Sequence, residues 1–510
     1  MSFNVVTFNV KRFEMKPFRL TAATTLAALF ITAGCSLTPS MSTPEAEQEL
    51  PGRFEAAAGD TTLPAAAVDT AAYDATRWWA AYDDPALTAL VDTALAANLD
   101  LEVARSQVEE LAAQFRIARA PLFPSVSADG QVSYQNQPAN TGIGGAIGGG
   151  RGPDRFEFAD YQATLGFSYE LDFWGRVRSE RKAALSQYFA TAADLQTARL
   201  SVISQTISTY AQIASLQRQV ELGQRTIDLL EQRLEITEDR YDRGLIPSFR
   251  LYSVRQSLQA ARAEQPDLER RLYDAQTRLA TLLGRFAGEQ RVLLPDSMTA
   301  PLAPEPIPAG LPADLLMQRP DVRASARRLE AARQQIGAAR AEMLPSLSLT
   351  GQGGVQSSEL AELVDPGQVF ANFVGQLTAP LFQGGRLRAN LSAAEARYKQ
   401  QAARYERTVL TAFREVKAAL VAYDKQRRRY REVQQQVDAA KDAFQAQRDR
   451  YERGIGDVLS LLDAERTFVQ ARTRRAGVRL AVVNARLALH RALGGAWTEV
   501  PAPEDPRLFQ

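Results

Sequence analysis

Two stretches of this chain, 210 residues apart, repeat one another. RYDRG at 240–244 recurs as RYERG at 450–454; from there, without gaps, Leu251 aligns with Leu461, Ala261 with Ala471, Leu279 with Leu489, and Leu283-Gly284 with Leu493-Gly494. Upstream the offset changes: ARAPLFPSVS at 118–127 returns as ARAEMLPSLS at 339–348, 221 residues on. The chain is a tandem duplication, so any fold it adopts must use one elongated structural unit twice. The two offsets differ by 11, and the first copy must carry that excess between the matched blocks. Its Gly-rich run GIGGAIGGGRG at 142–152 is the natural place, because a solvated loop tolerates insertion.

Composition narrows the function. Sixty basic residues face 59 acidic ones, a balance that implies no polyanion-binding surface, so nucleic acid is not an expected partner. The one cysteine, Cys35, excludes an intrachain disulfide and a cysteine metal cluster. The one histidine, His490, lies in a helical segment opposite Ala280 of the first copy and reads as a surface or packed helix residue. No Ser-His-Asp set, no metal-ligand spacing and no glycine-rich phosphate loop between strand and helix is present in the sequence. The expectation is therefore a protein that is not an enzyme, with no catalytic, cofactor-binding or metal residues. From Met15 the chain reads MKPFRLTAATTLAALFITAGCSL: Lys16 and Arg19, an apolar run, then small residues before Cys35. This resembles a bacterial lipoprotein signal, in which the cysteine becomes the lipidated first residue of the mature chain, although Thr32 stands where leucine is common. In such lipoproteins a residue other than aspartate after the cysteine, here Ser36, goes with sorting to the outer membrane. Beyond this segment no run of 18 apolar residues marks a transmembrane helix.

Helical periodicity dominates the rest. There is no proline from 176 to 243, and Ile203, Ile207, Tyr210, Ile213, Ile227, Leu230 and Leu234 recur at helical spacing. The second copy steps by three, four or seven through Val416, Leu420, Tyr423, Tyr430, Val433, Val437, Ala440, Phe444 and Tyr451. Segments 175–243 and 385–453 predict two helices on the order of 100 Å long, at about 1.5 Å per residue. Gly244 and Gly454 suit the left-handed position past a helix end, and Pro247 and Asp457 suit the first positions of a return helix running to Gly284 or Gly494. A shorter helix precedes each strand region, at about 85–120 and at 320–343. Pro266 and Gly477, in the two return helices, are candidate bending points. Narrow apolar stripes rich in alanine fit coiled-coil packing, and a plain soluble coiled coil satisfies this part of the chain equally well.

Between the helices the period is two. Tyr161, Ala163, Leu165, Phe167, Tyr169, Leu171 and Phe173 alternate with polar residues, as do Val126, Ala128, Val132 and Tyr134. In the second copy Leu347, Leu349 and Val355 form one run, and Phe373, Leu377, Ala379 and Leu381 another. Each copy supplies one hairpin of strands of the length that spans an outer membrane, apolar outward and polar inward. Four strands cannot close a barrel, and lipid tolerates no open edge. Several chains must therefore share one barrel; arithmetic alone permits a dimer, trimer or tetramer.

These residues resemble the TolC-like outer-membrane efflux proteins, in particular the lipidated NodT-type branch serving resistance-nodulation-division pumps. The resemblance runs from about Trp78 to Gly494. It is carried by WWAAYDDPALTALVDTALAANLDL at 78–101, the two ARA…PS blocks, LDFWGRVR at 171–178 with LFQGGRLR at 381–388, QRPDVRAS at 318–325, and RYERGIGDVLSLLDAERTFVQAR at 450–472. It implies a mainly α fold with a transmembrane β portion: a homotrimer with a 12-stranded β-barrel, four strands per chain, over a 12-helix periplasmic tunnel. It implies docking to a periplasmic adaptor (membrane fusion) protein and an inner-membrane resistance-nodulation-division transporter, and an outer-membrane location anchored by lipid at Cys35. The hairpin tips then form the periplasmic gate and adaptor-docking site, carried over as Arg240, Tyr241, Arg243 and Gly244 in the first copy and Arg450, Tyr451, Arg453, Gly454, Asp457 and Asp463 in the second. Where family members often carry an acidic residue four positions past the tip, this chain has Arg250 and Ser460.

The organisation expected is a signal peptide at 1–34, a lipid-anchored leader at 35–76, a first efflux repeat at 77–300, a Pro-rich linker at 301–319, a second repeat at 320–494 and a tail at 495–510. The function expected is the exit duct of a tripartite efflux pump carrying small molecules. A duct for type I protein secretion shares these features, whereas a periplasmic coiled-coil scaffold leaves the four strands without a purpose.

Overall fold

The computed structural model describes residues 37–40, 77–138, 155–287 and 315–495. Cys35, the signal segment, the Gly-rich run at 142–152 and the Pro-rich segments at 301–312 and 501–506 lie outside the described residues. In chain order the elements are α1 (Pro85–Ala97), α2 (Leu99–Arg119), β1 (Ser125–Pro138), β2 (Arg155–Leu171), α3 (Arg176–Asp242), α4 (Ser248–Leu282), α5 (Leu315–Gln318), α6 (Pro320–Ala341), β3 (Ser346–Ser357), β4 (Val369–Thr378), α7 (Arg386–Glu452) and α8 (Val458–Ala492). The repeat is visible in the helices: α3 and α7 have 67 residues each, α4 and α8 have 35 each, and each pair is offset by 210. The excess of 11 therefore falls between Ser125 and Arg176, where β1 and β2 have 14 and 17 residues against 12 and 10 for β3 and β4. No helix among the described residues is long and apolar enough to cross a membrane.

The chain divides into two compact units. The first holds one antiparallel sheet in the order β1-β2-β3-β4. Val126, Phe167, Gly351 and Phe373 form one row across it, and Ser127, Gly166, Gln352 and Asn372 the next. Rows of the first kind share the apolar face, as the alternation requires. Val126, Val132, Tyr134, Leu165, Phe373 and Leu377 are all more than 60% exposed. Two strand ends differ from the sequence reading. β2 stops at Leu171 rather than Phe173 because the Asp172 carboxylate accepts hydrogen bonds from the first N–H groups of α3, Val177 at 3.1 Å and Arg178 at 2.9 Å. β4 stops at Thr378 rather than Leu381, two residues before Pro380, which cannot donate to a ladder. β2 also starts earlier, at Arg155.

Residues 37–40, close after Cys35, lie on α6 in the same unit. Thr38 Oγ1 donates to Gln334 Oε1 at 3.2 Å, and Arg333 Nη1 donates to the Pro39 carbonyl at 2.8 Å. Gly337 makes the approach possible: a Cβ there would stand 2.4 Å from Thr38 Oγ1 and 3.1 Å from its Cα.

The second unit is helical, with its main core around Trp78, Trp79, Leu87, Leu90, Leu101, Ile207, Tyr210, Ile213, Leu279 and Leu283. The helix expected over 85–120 is two helices, because Asn98 is extended and its side chain bridges three segments. Its Oδ1 accepts from Leu101 N at 3.1 Å, starting α2, and its Nδ2 donates to the Leu282 carbonyl at the end of α4 at 3.0 Å. The WWAAYDDP block works similarly: Asp84 caps α1 through Leu87 N and accepts from the Tyr210 hydroxyl at 2.8 Å. In the QRPD block, buried Arg319 donates to the Ala492 carbonyl at 2.7 Å, satisfying a C-terminal group of α8, and pairs with Asp321 and Glu415. His490 is packed: its ring stacks on Trp78 at 4.5 Å, and burial followed by the nearby Arg486 charge pushes its pKa down to about 3.

Candidate functional site at the helix-hairpin tips

Each outgoing helix ends on a glycine in the left-handed region, Gly244 at φ +70° and Gly454 at φ +73°. At the first tip Gly244 N donates to the Tyr241 carbonyl at 2.8 Å and Leu245 N to the Arg240 carbonyl at 2.9 Å. At the second, Gly454 N reaches Tyr451 at 2.9 Å and Ile455 N reaches Arg450 at 3.0 Å. This double closure satisfies the last carbonyls of each helix and turns the chain sharply. A side chain at either glycine would meet nothing within 4 Å, so the conformation rather than crowding demands glycine. Pro247 and Asp457 sit one place earlier than the sequence reading put them, as the N-caps of α4 and α8. Only Asp457 caps with its side chain, accepting from Ser460 N at 3.3 Å.

The expected site residues do not behave alike. Arg240 crosses to the other repeat and binds Asp457 at 2.8 Å. Chiefly that hydrogen bond holds the Asp457 carboxyl below its usual pKa. Asp463 pairs with Arg233 of α3 and also approaches Arg466 at 3.5 Å. Arg243 stays local, bonded to Asp239 at 2.7 Å. Tyr241 and Tyr451 are both more than a third exposed, and Leu245 and Ile455 at the turns are both 68% exposed. The structure thus joins Arg240 to Asp457 and gives Asp463 an α3 arginine, while Arg243 stays on its own hairpin.

Three residues that sequence reading passed over, Arg225, Arg233 and Glu465, complete the arrangement. Arg225, Arg233 and Arg240 lie along α3 at intervals of eight and seven, and face Glu465, Asp463 and Asp457 of α8. The stripe sets positive charges on α3 against negative charges on α8. Its signal was present as three like charges on one face of α3, but only once α8 is known to lie alongside do they become a ladder.

The chain matches known proteins over nearly its whole length. The family model described as outer membrane efflux protein matches residues 90–285 and 311–495. The chain is 33% identical over 483 residues to the toluene efflux pump outer membrane protein TtgC of Pseudomonas putida, covering 92% of this chain and 94% of that one. It is likewise 33% identical over 483 residues to the antibiotic efflux pump outer membrane protein ArpC of Pseudomonas putida, with the same coverage. Among solved structures the Campylobacter jejuni CmeC outer membrane channel superposes with a TM-score of 0.78 at 26% identity, over 93% of this chain and 97% of CmeC. This chain belongs to the outer membrane efflux protein family and has its TolC-like fold.

Proposed function

We propose that this chain is the outer-membrane exit duct of a tripartite efflux pump, a passive homotrimeric channel that carries small molecules from the periplasm to the outside. The observation that carries the reading is the four-stranded sheet with an exposed apolar face and two edges that no strand among the described residues pairs, a structure that lipid accepts only when further strands close it. Three chains of four strands make a 12-stranded barrel. Small molecules as cargo are supported by the relatives named for toluene and antibiotic efflux. The partners of this reading are a periplasmic adaptor and an inner-membrane resistance-nodulation-division transporter.

Within it, the tips at Arg240–Leu245 and Arg450–Asp457 are the periplasmic gate and the adaptor-docking site. The Arg240–Asp457 bond between repeats supports that role, since separating the two hairpins requires breaking it. Cys35 is the lipid-anchored residue. The seat of residues 37–40 on α6, in the unit that holds the sheet, is consistent with an anchor near the barrel. The organisation proposed is a signal at 1–34, a leader at 35–76, repeats at 77–300 and 320–494, a linker at 301–319 and a tail at 495–510. Accumulation of a fluorescent efflux dye in a deletion strain tests the function: complementation by this gene should lower dye retention, and unchanged retention with the protein present in the outer membrane would contradict small-molecule efflux.

A further inference from the structure

The leader meets α6 in a fixed direction. Arg333 donates to the Pro39 carbonyl, and Arg340, further along α6, donates to the Leu37 carbonyl at 3.4 Å. Between them Thr38 lies over Gly337. Followed back towards its start, the leader therefore runs towards the C-terminal end of α6. Cys35 stands three residues before Thr38, a reach of about 10 Å at about 3.3–3.6 Å per residue. The same length along α6, at about 1.5 Å per residue, ends near Leu344. Cys35 is thus delivered to the junction of helix and sheet.

A cavity of about 390 Å³ lies at that junction. Three connections wall it: α6 to β3, β2 to α3, and β4 to α7. Trp174 ties the first two together, its indole Nε1 donating to the Pro345 carbonyl at 2.8 Å. Leu171, Phe173, Leu344 and Leu387 give the cavity apolar surface. Arg386 gives it N–H donors beyond the one bound to Gln383 Oε1. Ala341, one turn after Gly337 on the same face of α6, also lines it, so the face that seats Thr38 leads into the cavity. Between the cavity-lining Pro380 and Gln383, Leu381 and Phe382 are 95% and 89% exposed. They offer long chains an apolar way out.

We infer that this cavity holds the glyceryl thioether of lipidated Cys35, whose uncharged ester and amide carbonyls accept from Arg386 while the acyl chains leave past Leu381 and Phe382 into the membrane. This rests on Cys35 being the lipid-anchored residue, as proposed above, and deepens that reading by specifying where the folded body takes up the lipid. A free phospholipid offers similar carbonyls and chains. The chain's own lipid is favoured because the seated leader keeps it at the cavity, at an effective concentration on the order of millimolar. The lipid is then fixed to the strand–helix junction instead of swinging on its leader.

Protein recovered from the outer membrane with p-benzoylphenylalanine in place of Leu344 tests the seat. After irradiation and trypsin, peptide 341–386 should be found joined to peptide 35–53 with its acyl groups attached. The same group in place of Leu360, beyond the far end of β3, should give about a tenth of that adduct or less. Gly337→Val drives a side chain into Thr38 and should lower the adduct at position 344 about tenfold. Thr38→Arg alters only the leader and overfills the same gap, so it should lower the adduct likewise. The inference is overturned if acylated peptide 35–53 forms no adduct at position 344, if free phospholipid alone is captured there, or if both substitutions leave the adduct unchanged. Should peptide 35–53 be recovered without acyl groups, the lipid anchor at Cys35 itself falls, and this seat with it.

Discussion

The two helical hairpins have the same backbone and different side-chain interactions holding them together. In α3–α4 a layer of Ile227, Leu230 and Leu258 packs with Leu234 and Ala261; in α7–α8 the equivalent layer is Val437, Ala440 and Ala471 with Phe468. The apolar positions coincide under the offset of 210, and volume lost from Leu230 to Ala440 is returned from Leu258 to Phe468. The charges do not coincide. The first hairpin is bridged by Glu231–Arg262 at 2.6 Å and Glu238–Arg255 at 2.8 Å. The corresponding positions of the second are Lys441 with Arg472, two like charges, and Arg448 with Glu465, which turn to Glu452 and Arg225. The second hairpin instead stacks Phe444 on Phe468 at 6.0 Å, with Arg472 over the Phe468 ring at 5.4 Å. Apolar spacing therefore preserves the hairpin, while charge records which neighbour each helix faces. The α8 carboxylates serve α3 of the other repeat, so they are not available to α7.

Breaking the bond between hairpins should have the largest effect on function. Tyr451→Phe with Asp457→Ala is expected to raise resting conductance in planar bilayers several-fold, whereas Glu238→Gln, which cuts a bond within one hairpin, should leave it unchanged. Equal conductance for all three proteins would remove the tips as the gate. For stability, Leu258→Ala empties a buried site and should cost about 2–5 kcal/mol, read as a lower melting temperature of the detergent-solubilised protein. Phe468→Ala, at a half-buried site, should cost less. A reversed order would show that the aromatic stack, and not the buried layer, holds the hairpins. Gly244→Val and Gly454→Val should each cost about 1–2 kcal/mol, and equally, since both glycines share one left-handed conformation with open surroundings.

Acid should separate the repeats further. His490, opposite Ala280 of the first copy, is kept neutral in the fold with a pKa of about 3 against an ordinary 6.5, so the unfolded chain binds the proton first. Stability from this site is complete above about pH 6.5 and is lost as pH falls towards 3. His490→Phe, which keeps a ring against Trp78 without a titrating group, should flatten the decline of melting temperature over that window. The smallest effect belongs to Asp457. Its carboxyl is held low by Arg240, so the stability it gives is present above the ordinary carboxylate range and disappears as pH falls through its lowered value. The pair is largely solvent-exposed, so in stability, as distinct from conductance, its loss should show only as faster amide exchange at the start of α8.

Much of this was legible because lipid and long coiled coils impose strict patterns. A sheet face in lipid must alternate without error, so Tyr161 to Leu171 identified β2 from side chains alone. Gly175 and Gly244, with no proline between 176 and 243, delimited α3 to within one residue at either end. What escaped depended on neighbours. The break between α1 and α2 was hidden because the apolar period runs straight from Leu95 through Leu99, and Asn98 is recognisable as a cap only when its second bond, to Leu282, is seen. The ladder of Arg225, Arg233 and Arg240 was hidden for the same reason, since their partners lie 217 to 240 residues away. The repeat located the tips but could not show that Asp457 is paired across repeats, because its counterpart in the first copy is Pro247.

The account stands on the apolar sheet face being closed by other copies of the chain within lipid. Light scattering of the purified mature protein tests this most directly: we expect a particle of three chains that stays in solution only with detergent, and a monodisperse single chain, soluble without detergent, would contradict the account.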